Sequence, residues 1–121
     1  MQIKTTGGKI ICQICEKADT LLARIRGLMF SEKRNILFVF PHEGIQPIHS
    51  LFVFFPFHAV YLDKEMQVVE KFRVEPFEML VKNTKPAKYL LEIPEGVGQG
   101  AEQSSEQMPQ IGDELCLDGK C

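Results

Sequence analysis

Two short, almost wholly apolar runs that each end at a proline constrain the fold most strongly. The runs are residues 36–40, which precede Pro41, and residues 48–55, which precede Pro56. Proline has no backbone N–H to donate to a neighbouring strand, so it commonly marks the end of a strand. We therefore predict two buried strands that stop at these prolines.

The remaining pattern predicts further strands and one helix. Residues 9–15, 89–93 and 114–117 alternate as strands do, and residues 57–62 and 66–74 form a predicted hairpin around a turn at 63–65. Asp19 can cap a helix, and Gly27 can end that helix early. The apolar side of this predicted helix consists of Leu21, Leu22, Ile25, Leu28 and Met29. We therefore predict a mostly β (α+β) fold, a compact antiparallel, barrel-like or half-open sheet of about six or seven strands with one helix.

The length of 121 residues and the mass of 13.8 kDa predict a single domain over residues 1–121. Within it we expect residues 1–8 to form a flexible N-terminus and residues 97–110 to form a surface loop. A formal charge of −2 gives no electrostatic reason to expect a nucleic-acid partner. Neither a signal-peptide pattern nor an apolar stretch of about 18 residues occurs, so we expect a cytoplasmic location and no membrane partner.

Several motifs follow one another in an order that is more specific than any one of them. They are Arg26-Gly27-Leu28-Met29-Phe30 and then residues 36–41, 56–63, 87–96 and 112–113. In this order they resemble domain-of-unknown-function family 192 of bacteria and archaea. The resemblance implies a compact, mostly antiparallel β domain and no established activity. The chain departs from the family pattern at His58, where aspartate is usual, and at His49-Ser50-Leu51-Phe52, which replaces a Trp-Met-Lys-Asn-like segment.

Four cysteines are candidates for chemistry. Two pairs of thiolates can close a tetrahedral zinc site, so Cys12, Cys15, Cys116 and Cys121 form an alternative metal or thiol centre. An unbroken first strand places Cys12 and Cys15 on opposite faces, which argues against that centre. A disulfide that involves Cys116 or Cys121 is a further alternative, because the first and last strands can lie side by side. We favour ordinary thiols and predict no metal or other cofactor.

Three histidines lie in a span flanked by predicted strands. His42, His49 and His58 can converge as metal ligands or as a general base and its orienting partner, although a histidine on an apolar face is more often a hydrogen-bonded core residue. The chain has no G-x-S-x-G elbow, no H-E-x-x-H and no glycine-rich phosphate loop after a strand. Without these motifs, the sequence gives no support to a hydrolase, a zinc protease or a nucleotide-binding enzyme.

The two apolar runs and the start of the strand that follows them hold six phenylalanines, more than one sheet face can use: Phe38, Phe40, Phe52, Phe54, Phe55 and Phe57. The surplus indicates extra core packing, an apolar pocket or a subunit interface. We predict a small, non-catalytic binding or interaction domain for an unknown small molecule or protein, with a homodimer as one such partnership. The alternative is a zinc-binding or thiol-dependent enzyme. The predicted ligand-binding residues are Arg26, Met29, His49, Phe55 and His58.

Overall fold

The computed structural model describes residues 1–29, 32–96 and 108–121. The described residues form one helix, α1 (Leu21–Arg26), and eight strands: β1 (Ile3–Thr5), β2 (Ile10–Cys12), β3 (Cys15–Ala18), β4 (Asn35–Gly44), β5 (Phe57–Leu62), β6 (Val68–Val74), β7 (Ala87–Pro94) and β8 (Leu115–Leu117). Within this part of the chain, no helix combines the length and the apolar character that crossing a bilayer requires.

The strands form two sheets that do not close into a barrel. One sheet has three strands in the order β2-β1-β8, and the other has five in the order β3-β4-β7-β5-β6. All described pairs are antiparallel except β3 and β4, which run parallel and are joined through α1. A parallel pair needs such a crossover connection because a tight turn reverses the chain. The predicted mostly β fold with one helix is thus confirmed, in its half-open form.

The predicted hairpin is confirmed as β5 and β6. Its turn depends on Asp63, whose Oδ1 accepts the backbone N–H groups of Glu65 and Gln67 at 3.0 Å each. The predicted strand at residues 89–93 is also confirmed, as part of β7. This strand lies between β4 and β5 and pairs with both, so β7 is the centre of the larger sheet.

The core lies on both faces of the larger sheet. Leu91 and Ile93 of β7 pack on one face, where the smaller sheet adds Ile3, Ile11 and Leu115. The opposite face is covered by the end of α1 with the residues that directly follow it, and by residues 47–55. Its buried side chains include Leu28, Phe38, Val53, Phe57, Tyr61 and Leu90.

The predicted first strand is in fact two strands that belong to different sheets. The chain bends at Gln13 and Ile14, and Ile14 is 79% exposed. Because the bend reverses the alternation, Cys12 and Cys15 both face the same core. The expectation that these two cysteines lie on opposite faces was therefore wrong.

The expected flexible N-terminus is also different in the structure. Ile3 is fully buried, and β1 is the central strand of the smaller sheet. The pairing partner β8 lies almost a whole chain length away, so no local pattern reports it. Of the predicted surface loop, residues 97–107 lie outside the described residues, whereas Met108 is buried and accepts a hydrogen bond from Lys9 Nζ at 3.1 Å.

Residues 48–55 are not a strand, in contrast to the prediction. Ile48 makes a single antiparallel bridge to Val81, after which the chain turns at Ser50. Within this segment Val53 points into the core, while Phe54 is 62% exposed. The apolar composition is therefore divided between an inner and an outer side of an irregular segment.

The helix is shorter than its apolar stripe suggests. Its N-cap is Thr20 rather than Asp19, since Thr20 Oγ1 accepts the Ala23 N–H at 3.1 Å. Gly27 ends the helix with φ = 46°, and a Cβ there would lie 3.1 Å from Phe38. Both facts favour glycine at this position, which directs the chain across the sheet.

Candidate functional site

A cavity of about 270 Å³ lies between residues 24–29, at the end of α1 and just after it, and residues 47–53. Strands β4 and β7 supply Phe38, Phe40 and Glu92, and the two flanking segments supply apolar side chains such as Leu28 and Ile48. Arg24, Arg26, Met29, His49 and Val53 also line the cavity, together with Gly27 and Pro47. The site is therefore an apolar hollow on one face of the sheet with several polar groups around it.

Glu92 is the most unusual member of this lining. It lies in the central strand β7, between Ile36 of β4 and Ala59 of β5, and is only 4% exposed. Among the described residues its carboxyl group has no hydrogen-bond or ion-pair partner. Burial raises the pKa of Glu92 to about 8, because an unpaired carboxylate is poorly solvated inside a protein. At neutral pH the neutral acid is thus the major form.

Glu92 cannot be recognised as a site residue from the sequence. Tyr89, Leu91 and Ile93 alternate with Lys88 and Glu92, which is typical of a strand with one solvent-exposed face. The structure instead buries both faces of β7 at this point. No local signal distinguishes Glu92 from a solvent-facing glutamate, because its burial depends on the helical region and residues 47–53 folding over it.

Two arginines at the end of α1 bring positive charge to the cavity. Arg24 Nη1 donates to the backbone carbonyl oxygens of Asp19 at 2.9 Å and Val39 at 3.2 Å. These acceptors hold the guanidinium in place without neutralising it. Arg26 is exposed, and within the described residues neither arginine forms a salt bridge. Both cations can therefore serve an anionic ligand.

The structure brings together three of the five predicted ligand-binding residues. Arg26, Met29 and His49 line the same cavity, although they come from different segments. Phe55 does not line it: it is 8% exposed in the core, with Lys33 Nζ 5.9 Å from its ring centroid. His58 also lies elsewhere, with Nε2 at 3.4 Å from Glu95 Oε1.

The three histidines do not converge. His42 is exposed on β4, and His49 Nδ1 accepts the Leu51 N–H at 3.1 Å beside the cavity. Burial lowers the pKa of His58, while the nearby Glu95 opposes this effect. Each histidine thus has its own surroundings. In the described part of the chain, no three His, Cys, Asp or Glu side chains form a group suited to a metal ion.

The cysteines form two separate pairs. Cys116 and Cys121 are joined by a disulfide, while Cys12 and Cys15 are free and buried. The interaction between the two thiols lowers the pKa of Cys12 and, together with burial, raises that of Cys15, whose thiol donates to the Glu16 carbonyl oxygen at 3.6 Å. Since β1 lies between β2 and β8, the structure does not bring the four sulfur atoms into one zinc site.

This pairing predicts a thiol-labelling pattern. In native, unreduced protein a maleimide should react slowly, because Cys12 and Cys15 are 2% and 4% exposed. Unfolding without reductant should release two reactive thiols, and unfolding with reductant should release all four. Intact-mass spectrometry counts the labels. Four labels without reductant would contradict the disulfide.

Next to the cavity, two loops present an exposed apolar patch formed by Phe52, Phe54, Phe77, Met79 and Leu80, each between 44% and 78% exposed. The ring centroids of Phe52 and Phe54 lie 6.3 Å and 5.4 Å from that of Phe77. Phe52 and Phe77 have φ angles of 61° and 63°, which are uncommon for bulky residues. The backbone is therefore held in an unfavourable form that exposes aromatic rings.

Ser50 links these two loops from beneath the patch. Its hydroxyl is fully buried, donates to the Glu75 carbonyl at 2.6 Å and accepts the Glu78 N–H at 2.6 Å. The Ser50 carbonyl also accepts the Phe77 N–H at 2.9 Å. One small polar side chain thus satisfies backbone groups of a loop far along the sequence.

Replacing Ser50 should destabilise the protein. Ser50→Ala leaves the Glu75 carbonyl and the Glu78 N–H without their buried hydroxyl partner, so we expect the free energy of unfolding to fall by about 1–3 kcal/mol. Urea denaturation measures this change. Thr6→Ala removes an exposed hydroxyl and is the control, with an expected change within about 0.5 kcal/mol. Equal effects of the two variants would contradict the role given to Ser50.

Known proteins resemble this chain in sequence. The model of domain-of-unknown-function family 192, described as "Uncharacterized ACR", matches residues 2–105. A UPF0127 protein from Thermococcus sibiricus is 34% identical over 101 residues, which cover 80% of this chain and 65% of that protein. A UPF0127 protein from Pyrococcus furiosus is 33% identical over 98 residues, which cover 78% of this chain and 84% of that protein.

Two crystal structures share the fold. One, from Sinorhizobium meliloti, is described as a candidate transcription regulator; it has a TM-score of 0.77 at 18% identity, covering 94% of this chain and 88% of its own. The other, of unknown function, is from Novosphingobium aromaticivorans; it has a TM-score of 0.75 at 18% identity, covering 96% and 82%. At this identity the likeness concerns the fold alone. By its sequence, the chain belongs to domain-of-unknown-function family 192.

Proposed function

We propose that this domain binds a small organic molecule in the cavity beside Glu92 and does not transform it. The observation that carries the proposal is a buried carboxyl group, without a protein partner among the described residues, that lines an apolar hollow. Natural ligand sites combine mainly apolar walls with a few polar groups, usually in volumes of about 300–1,000 Å³. A volume of about 270 Å³ suits a small ligand.

The chemistry of the lining supports binding rather than catalysis. The described lining residues include arginine, histidine and glutamate but no serine, threonine or cysteine that could act as a nucleophile. His49 Nδ1 accepts a backbone N–H, and among the described residues His49 makes no hydrogen bond or ion pair with Glu92. These groups can orient a ligand by charge and hydrogen bonding.

A neutral probe tests the cavity without involving its charges. We expect 3-phenylpropanol to bind, as measured by chemical-shift titration of the ¹⁵N-labelled protein, and to shift backbone amide signals of residues 27–29 and 48–53. Ile48→Trp should fill the cavity and abolish binding. Ile45→Trp is the matched control, since Ile45 is exposed and outside the lining.

The two variants make the result decisive. Binding that survives in Ile48→Trp, or is lost equally in Ile45→Trp, would place the probe elsewhere and refute the proposal. Phe54→Ser checks for binding at the exposed apolar patch, and it should leave the titration unchanged.

The exposed apolar patch supports a second candidate function, a protein interface. Unfavourable backbone angles at Phe52 and Phe77 hold rings in water, an arrangement that is costly unless a partner covers them. We propose a second copy of the chain as that partner. Sedimentation velocity tests this: Phe54→Ser should weaken a dimer of the wild-type chain. A wild-type chain that stays monomeric at high micromolar concentration would refute it.

A further inference from the structure

We propose that the ligand of the cavity is a small organic acid with an apolar body, which enters as the carboxylate, is attracted by Arg24 and Arg26 and is hydrogen-bonded by Glu92. This inference rests on the proposed binding function and names the class of ligand. It is carried by three features of the cavity: the apolar lining residues, the two arginines, and the burial of the Glu92 carboxyl group.

The cations favour an anion over an amine. Arg24 is held by two backbone carbonyl groups and Arg26 is exposed, so neither charge is cancelled by a carboxylate in the described structure. His49, on the facing segment, adds no negative charge. The two arginines of the lining would repel a positively charged ligand, whereas a carboxylate finds in arginine its preferred bidentate partner.

Glu92 supports the same ligand because burial favours its neutral acid form. A protonated carboxyl group donates one O–H bond, and an O–H···O⁻ bond to a carboxylate is among the stronger hydrogen bonds. An ionised Glu92 would instead repel that ligand. The proton of Glu92 therefore makes the interior of the cavity suitable for a negative charge.

Among the residues that the structure describes, no neighbouring group competes for that proton. From β5, Tyr61 is the titratable side chain that interacts electrostatically with Glu92, but its hydroxyl donates to the Gln46 carbonyl at 2.9 Å. Burial, and then Glu92, raise the pKa of Tyr61, so it stays neutral as well. From β4, the residue opposite Glu92 is Ile36. Arg24 and Arg26 from α1 and His49 from residues 47–53 complete the charged or titratable groups of the described lining.

The walls select the rest of the ligand. Leu28, Phe38, Phe40, Ile48 and Val53 offer aliphatic and aromatic surface. Such surface stabilises an apolar body in proportion to the area removed from water. A sugar or an inorganic phosphate would leave this surface unused, so the structure favours an aliphatic or aromatic carboxylic acid.

Three ligands with one body and different head groups test the inference. We expect 3-phenylpropionate to bind more tightly than 3-phenylpropanol at pH 6.5, and 3-phenylpropylamine to bind most weakly. Between pH 6.5 and pH 9 the affinity for 3-phenylpropionate should fall about tenfold, because only about a tenth of Glu92 keeps its proton one unit above its pKa of about 8. Binding of 3-phenylpropanol should fall less.

Two variants assign these effects to residues. Glu92→Gln keeps an N–H donor and cannot ionise, so its affinity for 3-phenylpropionate should be the same at both pH values. Arg26→Gln should weaken 3-phenylpropionate severalfold and weaken 3-phenylpropanol much less. Circular dichroism of each variant confirms that the fold is retained.

The outcomes separate this inference from the proposed function. If the amine binds more tightly than the acid, or the acid and the alcohol bind equally at pH 6.5, the cavity binds small molecules but the anion inference is wrong. A fall in affinity that persists in Glu92→Gln would also overturn it. If none of the three ligands binds, the proposed function itself fails.

Discussion

Glu92→Gln should raise the free energy of unfolding by about 3 kcal/mol more at pH 7 than at pH 4.5. Burial raises the pKa of Glu92 from 4.5 to about 8 in the folded chain. Unfolding therefore releases a proton between these two values, and wild-type stability falls as the pH rises through this window. Below the window both states are protonated, and above it both are ionised, so the slope vanishes at either end. The glutamine has no such proton to lose.

Urea denaturation of both proteins at pH 4.5, 7 and 8.5 measures this difference. Glu70 provides a control of opposite sign. Burial alone would raise its pKa, but the backbone N–H groups of Lys85 and Thr84 donate to its Oε1, and the net effect lowers the pKa. Glu70→Gln should therefore cost stability at neutral pH and not in acid. Parallel pH profiles for wild type and Glu92→Gln would contradict the burial of an unpaired Glu92.

Phe57→Ala should destabilise the protein by about 3–5 kcal/mol, since it removes a large side chain and leaves a cavity. Phe57 begins β5, is fully buried and packs in the core cluster that also contains Tyr61. At protein concentrations where the chain is monomeric, Phe54→Ala, only three positions earlier, should change stability by less than about 1 kcal/mol because Phe54 is 62% exposed.

Chemical denaturation of the two alanine variants under one set of conditions tests this contrast. The m-value should stay constant, so the midpoint alone should report the change. A comparable loss in both variants would show that the exposed apolar patch is packed in solution, as it would be in a dimer. Repeating the measurement at several protein concentrations distinguishes the dimer from a monomeric core.

Local patterns predicted the parts of the fold that local interactions stabilise. The β5–β6 hairpin follows from alternating apolar residues and a turn in which Asp63 accepts backbone N–H groups. The centre of β7 follows from the alternation around Tyr89 and Leu91. In each case the residues that decide the structure are close neighbours in the sequence.

The errors occurred where distant residues decide the structure. The apolar run at residues 48–55 has the composition of a strand, yet Ser50 binds the backbone of residues 75–78 and turns the chain. The bend at Gln13 depends on β2 and β3 joining different sheets. Neither the serine contact nor the division into two sheets can be read from the local alternation of residues.

The candidate site was predicted in part for the same reason. Arg26 and Met29 belong to a motif and His49 to a segment that stood out in the sequence, and all three line the cavity. Phe55 was selected for its apolar neighbours, and the structure places it in the core. Glu92 resembles an ordinary surface residue of a strand, and only the segments packed over it make it distinctive.

The position of β1 affects how this chain folds during synthesis. β1 is translated long before β8, yet it is bounded on one side by β2 and on the other by β8. Until β8 has been translated, one edge of β1 offers unpaired backbone groups to any other strand. This edge of β1 is therefore open to aggregation or chaperone binding in the growing chain, and the exposure ends when residues 115–117 emerge.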